Sequence, residues 1–331
     1  TTETSTANPA VTGEALKLSE ALHPRIPRYS KFVTDQKRLG STFAFQMRPN
    51  PDTLITLDAM YAVYSANRDE YDLEAISFSR NTAGLPQTKI YNYTIDDEKT
   101  ITKASFNNVD IRAEHRFDEL KTTFSQFNVA WDQQFGDKLK MKALIGVSES
   151  LQDNPEQTTL TYDAYDVQGY SYDFTSSRSP TFNYGTKNGC TVDQACYWSY
   201  SPNTTTSLTT QPTAINGTTA TTKGDASLIR IRPQSVDNKF DTTKVDFVYE
   251  LNDDFAVKFG TSLKHFGFYS TELGRVTLIP ASGIPTRDEA ANSLWSTGFN
   301  TLMSNIAANS MSVSVGGNTF LVPNIELIRA T

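Results

Sequence analysis

Cysteine is almost absent from this chain, with two in 331 residues, and histidine is nearly as rare, with three. That scarcity removes zinc sites built from paired cysteines or clustered histidines. Also missing are a Gly-rich phosphate loop, a GxSxG elbow and an HExxH helix, so no catalytic constellation is visible and an enzyme is not expected. His23, His115 and His265 lie far apart, and Asp96-Asp97-Glu98 suits a solvated loop tip better than an acid/base pair. No basic surplus exists either: 30 Lys+Arg stand against 37 Asp+Glu, a net charge of -7, which argues against a nucleic-acid partner. Nowhere do about 18 apolar residues follow one another, so a membrane-spanning helix is excluded, whereas a spanning β-strand needs only about 9–11 residues of alternating polarity. The opening Thr1-Thr2-Glu3-Thr4-Ser5 has no secretory signal, which implies either a removed signal or a window cut from something longer. Hydrophobic residues (38%) and charged residues (20%) are both sparse, yet aromatics reach 11%, a balance that fits neither a disordered chain nor a compact α/β enzyme.

What the sequence does have is period two. Leu39, Phe43, Phe45 and Met47 share one phase, and Ile55, Leu57, Ala59, Tyr61 and Val63 follow after a Pro49-Asn50-Pro51-Asp52 turn. The design recurs with Phe127, Val129, Trp131 and Phe135, a Gly136-Asp137 turn, then Leu139, Met141, Ala143, Ile145 and Val147. A third copy runs through Val245, Phe247, Tyr249 and Leu251, turns at Asn252-Asp253-Asp254, and returns through Phe255, Val257, Phe259 and Leu263. All the charges of these strands, namely Arg38, Arg48, Asp58, Asp132, Lys140, Lys142, Lys244, Asp246, Glu250, Lys258 and Lys264, fall in the opposite phase.

A soluble sandwich would alternate in the same way, with its apolar face turned inward. Connection length separates the two. The hairpins, about 38–65, 122–150 and 240–270, have short turns at one end, and long segments, about 1–37, 66–121, 151–239 and 271–331, at the other. Such asymmetry is the outer-membrane barrel arrangement, in which a Lys or Arg at mid-depth on the lipid side costs about 2–4 kcal/mol. The expected fold is therefore all-β: an antiparallel transmembrane β-barrel segment with long extracellular loops.

Within the long segments, Glu14–Leu22 reads as a short helix, and Ala75–Phe78 and Lys89–Thr94 as strand pieces extending the hairpins. Thr286-Arg287-Asp288-Glu289 is a capping box opening a helix to about Asn309, and Met311–Pro323 reads as a small hairpin around Gly316-Gly317-Asn318. Cys190 and Cys196, with five residues between them in a polar loop, suit a local disulfide. The charged stretch Arg112–Leu120 suggests a salt-bridge network. Tyr165, Tyr170, Tyr172, Tyr197, Trp198 and Tyr200 are candidate ligand-binding rings, since rings beside hydrogen-bonding groups suit a sugar-like ligand. The same rings would equally serve as a girdle or as loop packing.

Pro24-Arg25-Ile26-Pro27-Arg28-Tyr29, Asp35-Gln36-Lys37-Arg38-Leu39-Gly40, FAFQMRPNPDT, and Asp110–Thr122 with its following strand resemble TonB-dependent receptors of the outer membrane, in particular the large Caulobacter- and Xanthomonas-type branch. The likeness covers about 24–150 well and 237–270 less closely. It implies a 22-stranded barrel around an N-terminal plug, in the outer membrane of a Gram-negative bacterium, taking up a scarce oligosaccharide or iron chelate with energy passed on by TonB. No cofactor or metal is implied. Neither plug nor TonB box is visible, and about six strands are present. The expectation is thus an internal barrel segment whose partners are lipid, its own plug and the remaining strands, possibly as other chains. Arg48, Asp58, Asp132, Lys140 and Lys258 would face the plug or simply a wet lumen. The rival expectation is a cell-surface β-sandwich adhesin that binds glycans.

Overall fold

The computed structural model describes residues 13–78, 87–176, 180–200, 213–215, 218–220, 227, 229–273 and 301–330. A helix over Glu14–Glu20 precedes β1 (Arg28–Asn50), β2 (Thr53–Ser77), β3 (Lys89–Ile95), β4 (Ile101–Phe135) and β5 (Leu139–Asp173). Then come β6 (Thr181–Thr186), β7 (Thr213–Ile215), β8 (Thr218–Ala220), β9 (Ile229–Ile231), β10 (Gln234–Asn252), β11 (Phe255–Glu272), β12 (Ser310–Val315) and β13 (Asn318–Pro323). The six long strands form one antiparallel sheet in the order β1-β2-β4-β5-β10-β11, and β3, β6 and β9 extend it. Strands β1 and β11 are its edges, so among the described residues the sheet does not close on itself.

Three tight turns join the long strands in pairs. Asn50 and Asn252 each accept, through the side-chain oxygen, the backbone N–H two residues on, from Asp52 and Asp254. Gly136 adopts the left-handed region at φ 58°, which suits a residue without Cβ.

Register carries the alternation across the whole sheet. Met47, Ile55, Trp131, Ala143, Val245 and Thr261 lie in one row on one face, and Phe45, Leu57, Val129, Ile145, Thr243 and Leu263 in the next. Ala44, Asp58, Asn128, Gly146, Thr242 and Lys264 occupy a row of the opposite face. Counted up from each turn, the apolar face holds no charge over 39–47, 55–63, 127–135, 139–147, 243–251 and 255–263. These windows lie level within each hairpin and step between hairpins. Ile55 pairs with Trp131, four residues short of Phe135, and Leu139 pairs with Tyr249, two short of Leu251. Among the described residues no second layer covers this part: Phe43 is 60% exposed, Ile145 58% and Phe259 56%.

Farther from the turns the strands continue where the sequence suggested long loops. β2 and β4 stay paired up to Ser77 and Asp110, and β4 and β5 up to Lys103 and Asp173. The loop bounds 66–121 and 151–239 are thus corrected, because cross-strand pairing there depends on partners that one strand's own alternation does not reveal. Pro155 lies inside β5, where it removes a ladder donor. The ladder tolerates it at a bulge: β4 advances two residues from Lys121 to Glu119 while β5 advances three, from Asp153 to Glu156. After the bulge Leu160, Tyr162 and Ala164 pair with His115, Ala113 and Ile111, which lie on the apolar face.

Here the apolar face is covered. The hairpin β12–β13 and the loop around the Cys190–Cys196 disulfide lie against it, together forming a head. Tyr162 donates to the Asn309 carbonyl at 3.3 Å, Leu321 N donates to Val192 O at 3.1 Å, and His115 Nδ1 donates to Pro323 O at 2.7 Å. The other ring nitrogen of His115 lies 2.9 Å from Asp69 Oδ1, so one buried side chain ties hairpin to sheet. Gly316 turns the hairpin at φ 58°, and a Cβ there would press into the Tyr29 ring. The expected capping box at Thr286–Glu289 lies outside the described residues. The helix part that is described runs over 301–304 and, after a break at Asn305, over Ile306–Asn309.

Phe320 is fully buried between the hairpin and the sheet. Phe320→Ala should cost about 3–5 kcal/mol, read as a lower urea midpoint in the near-ultraviolet circular dichroism of the head tyrosines. A change under about 1 kcal/mol would mean that the hairpin does not hold the head together.

Candidate functional site

The polar face of the sheet carries two charged fields. Near the turns, Arg48, Asp58, Asp132, Lys140 and Lys258 lie together on that face, as the alternation requires. Lys140 pairs with Glu250 at 2.7 Å, Lys142 with Asp132 at 3.2 Å, and Lys244 with Asp246 at 2.6 Å. Acids on this stretch are thereby mostly neutralised, and the basic members outnumber them.

Farther up, β1, β2, β4 and β5 bring a second field into register. One row reads Arg28, Glu74, Arg112, Asp163, and the next Ser30, Asp72, Glu114, Thr161. Arg112 Nε lies 2.7 Å from Asp163 Oδ1, and Asp118 accepts from both Arg68 (2.7 Å) and Arg116 (3.1 Å). Arg28 reaches Glu74 at 3.3 Å and Asp72 at 3.9 Å. Each charge sits opposite another because charges recur every second residue in Arg68–Glu74 and Arg112–Asp118. Cross-strand opposite-charge pairs stabilise a sheet, but burial makes each one dependent on its partner. The network expected at Arg112–Leu120 is part of this field. Its β2 half was not singled out, although the same every-second-residue charge pattern could have revealed it.

Burial, with Glu114 and Asp72 nearby, pushes the carboxyl of Glu74 up to about 7, against the pull of Arg112 and Arg28. Burial likewise raises Glu114, whereas hydrogen bonds from Arg116 and Arg68 overcome it at Asp118 and hold that carboxyl low.

The aromatic candidates turn out to be structural. Tyr170, Tyr172, Tyr197, Trp198 and Tyr200 are buried, and Tyr165 is half-buried. Tyr170 and Tyr172 belong to a ring cluster with Phe78, Phe106, Phe174, Phe182, Tyr184 and Tyr29. Tyr197 donates to Tyr184 O at 2.6 Å, and Trp198 Nε1 to Val192 O at 2.8 Å. The five buried rings are packed into the head, the loop-packing alternative for these residues, in a chain short of aliphatics. Cys190 and Cys196 are joined, with Cα atoms 5.9 Å apart, and fix the loop that presents Tyr197 and Trp198.

Among the described residues no group of three or more His, Cys, Asp or Glu is placed to hold a metal ion, and no helix is long and apolar enough to cross a membrane. No family model, curated protein or solved structure matches the chain.

Because Glu74 holds its proton in the folded state up to about 7 and releases it near 4.5 when unfolded, the fold binds more protons over that window. Its contribution falls as pH rises from about 4.5 to about 7, by at most about 3 kcal/mol. Glu74→Gln should therefore match or exceed the parent's stability at pH 8 and lose that advantage at pH 4.5. Equal pH profiles for the two proteins in urea unfolding would show that Glu74 is not the titrating group.

Proposed function

We propose that the chain forms part of the wall of an outer-membrane β-barrel carrying an extracellular head, and serves a TonB-dependent receptor in ligand uptake. The observation that carries this reading is the stepped charge-free band. Its windows shift by six residues over the five strand-to-strand steps. With about 3.4 Å per residue along a strand and about 4.8 Å between strands, that shift corresponds to a tilt of about 40°. Strands of membrane barrels tilt by about 35–45°. At such a tilt the stepped windows become one level belt, and nine residues rise about 23 Å, close to the apolar band of about 25 Å in such barrels.

Two further features support it. Trp131, Phe135, Tyr249 and Phe255 lie on the apolar face close to the turns, where a barrel places an aromatic girdle. The belt is bare of protein, and the sheet gains a covering layer only beyond it. Active uptake driven by TonB, of an oligosaccharide or an iron chelate, rests on the resemblance in 24–150 and 237–270. In this reading lipid meets the apolar face, the polar face lines the lumen, and a plug and further strands complete the barrel along β1 and β11. Open strand edges are not tolerated in hydrocarbon.

A cell-surface adhesin is the second reading, favoured by the disulfide-stapled two-layer head. It would require the belt to be covered by protein.

Reconstitution into vesicles of brominated phosphatidylcholine separates the two. Quenching of Trp131, identified by its loss in Trp131→Phe, is expected. Its absence, with the chain monodisperse in plain buffer, would sink the membrane reading. Ile145→Lys on the apolar face should cost about 2–4 kcal/mol, whereas Asn128→Lys beside it on the polar face should be nearly neutral.

A further inference from the structure

On the polar face, three rings of β10 and β11 gather at one height. Phe240 of β10 pairs directly with Phe266 of β11, the ring centroids 4.7 Å apart, and Phe268 follows one step up. Phe266 and Phe268 are 72% and 70% exposed. Lys264 lies one step below them on the same face, with no ion pair among the described residues. Acids of the same segments are turned away: Asp241 and Asp237 lie on the apolar face, where His265 (3.3 Å) and Lys239 (3.2 Å) engage them. The same face carries a cation–ring pair on β1 and β2, in the row that runs on through Thr122, Gln152, Val236 and Ser270. Arg38, twelve residues from the end of β1 as Phe240 is from the end of β10, stacks over Tyr64 with its guanidinium 5.2 Å from the ring centroid.

We infer that Phe240, Phe266, Phe268 and Lys264 form a binding subsite for an anionic solute with a flat ring, which stacks on the phenyl faces and sets its negative charge against Lys264. This rests on the reading of the polar face as a barrel interior. Exposed phenyl rings there cost solvation and are unneeded for the fold, whose core lies in the head. A flat ring recovers that cost by stacking. Charge selects its sign: among the described residues the only ionised group beside the rings on this face is a lysine, and a charge-assisted contact to a carboxylate or sulfonate is about twice as strong as a neutral one. A cationic ring would meet Lys264 with no carboxylate to hold it.

The test uses the full chain in phosphatidylcholine vesicles and fluorine NMR titration with 4-fluorobenzoate. Fluoroacetate, which has the charge without the ring, and 4-fluorobenzylammonium, which has the ring with the opposite charge, serve as comparisons. Saturable binding of 4-fluorobenzoate is expected, with fluoroacetate and the ammonium much weaker. Phe266→Ala and Lys264→Gln should each weaken it about five- to tenfold. Equal binding of the ammonium, unchanged affinity in both variants, or no saturable binding would overturn the proposal. Retained Trp131 quenching in the same vesicles shows the variants inserted, so a failure then belongs to the subsite alone. Loss of quenching in the parent chain would remove the membrane reading itself.

Discussion

A sheet this long has to cover its apolar face along its entire length, and two different covers meet that demand. In the head, the β12–β13 hairpin and the disulfide loop close over Leu73, Ala113, Leu160 and Tyr162. Near the turns the same face, now Phe43, Phe45, Ile145 and Phe259, is bare. Exposed apolar surface of that extent is not stable in water. None of the described residues supplies a cover there, and the proposed hydrocarbon layer fits the height and stagger of the bare zone. Between the two zones the face turns polar, with Lys37, Asp69, Lys121 and Glu149 marking the change.

The opposite face follows a different rule. It is charged from end to end, but the charges are handled differently with height. Close to the turns they are exposed and paired in simple twos, where each pair contributes little to stability. In the head they are buried, and Asp118 and Asp163 lean on arginines from neighbouring strands. Removing one partner there leaves a buried charge uncompensated, so this field fixes which strands lie side by side more than it adds to net stability. Glu74, its carboxyl pushed up to about 7 by burial, keeps its proton where an exposed glutamate would already be charged.

How much of this was legible in the sequence follows from where period two holds. Phe45, Leu57, Val129 and Ile145 announce their common face because every intervening charge sits in the other phase, and the three turns are written in Asn, Pro, Gly and Asp. The strands beyond position 66 were harder to see. Glu70, Asp72 and Glu74 look like solvated loop until Arg28, Arg112 and Arg116 are known to lie opposite or beside them. Tyr170, Tyr172, Tyr197 and Trp198 were legible as aromatic but not as buried, since a ring-lined sugar site and the edge of a tyrosine-rich core use the same residues. The patch at Phe240, Phe266 and Phe268 lay hidden for another reason: it follows the alternation in the wrong phase, where an apolar residue reads as noise.

One inserted residue has an effect out of proportion to its size. By adding a step at Asn154-Pro155, β5 changes parity while β4 does not. Odd-numbered residues of β5 look toward the bare zone below the insertion, and above it, as far as Ala164, even-numbered ones look toward the head. Without that step Tyr162 and Leu160 would exchange sides with Asp163 and Thr161, placing carboxylates under the hairpin and rings among the arginines. A single strand therefore serves two surroundings in succession, and the insertion is the seam between them.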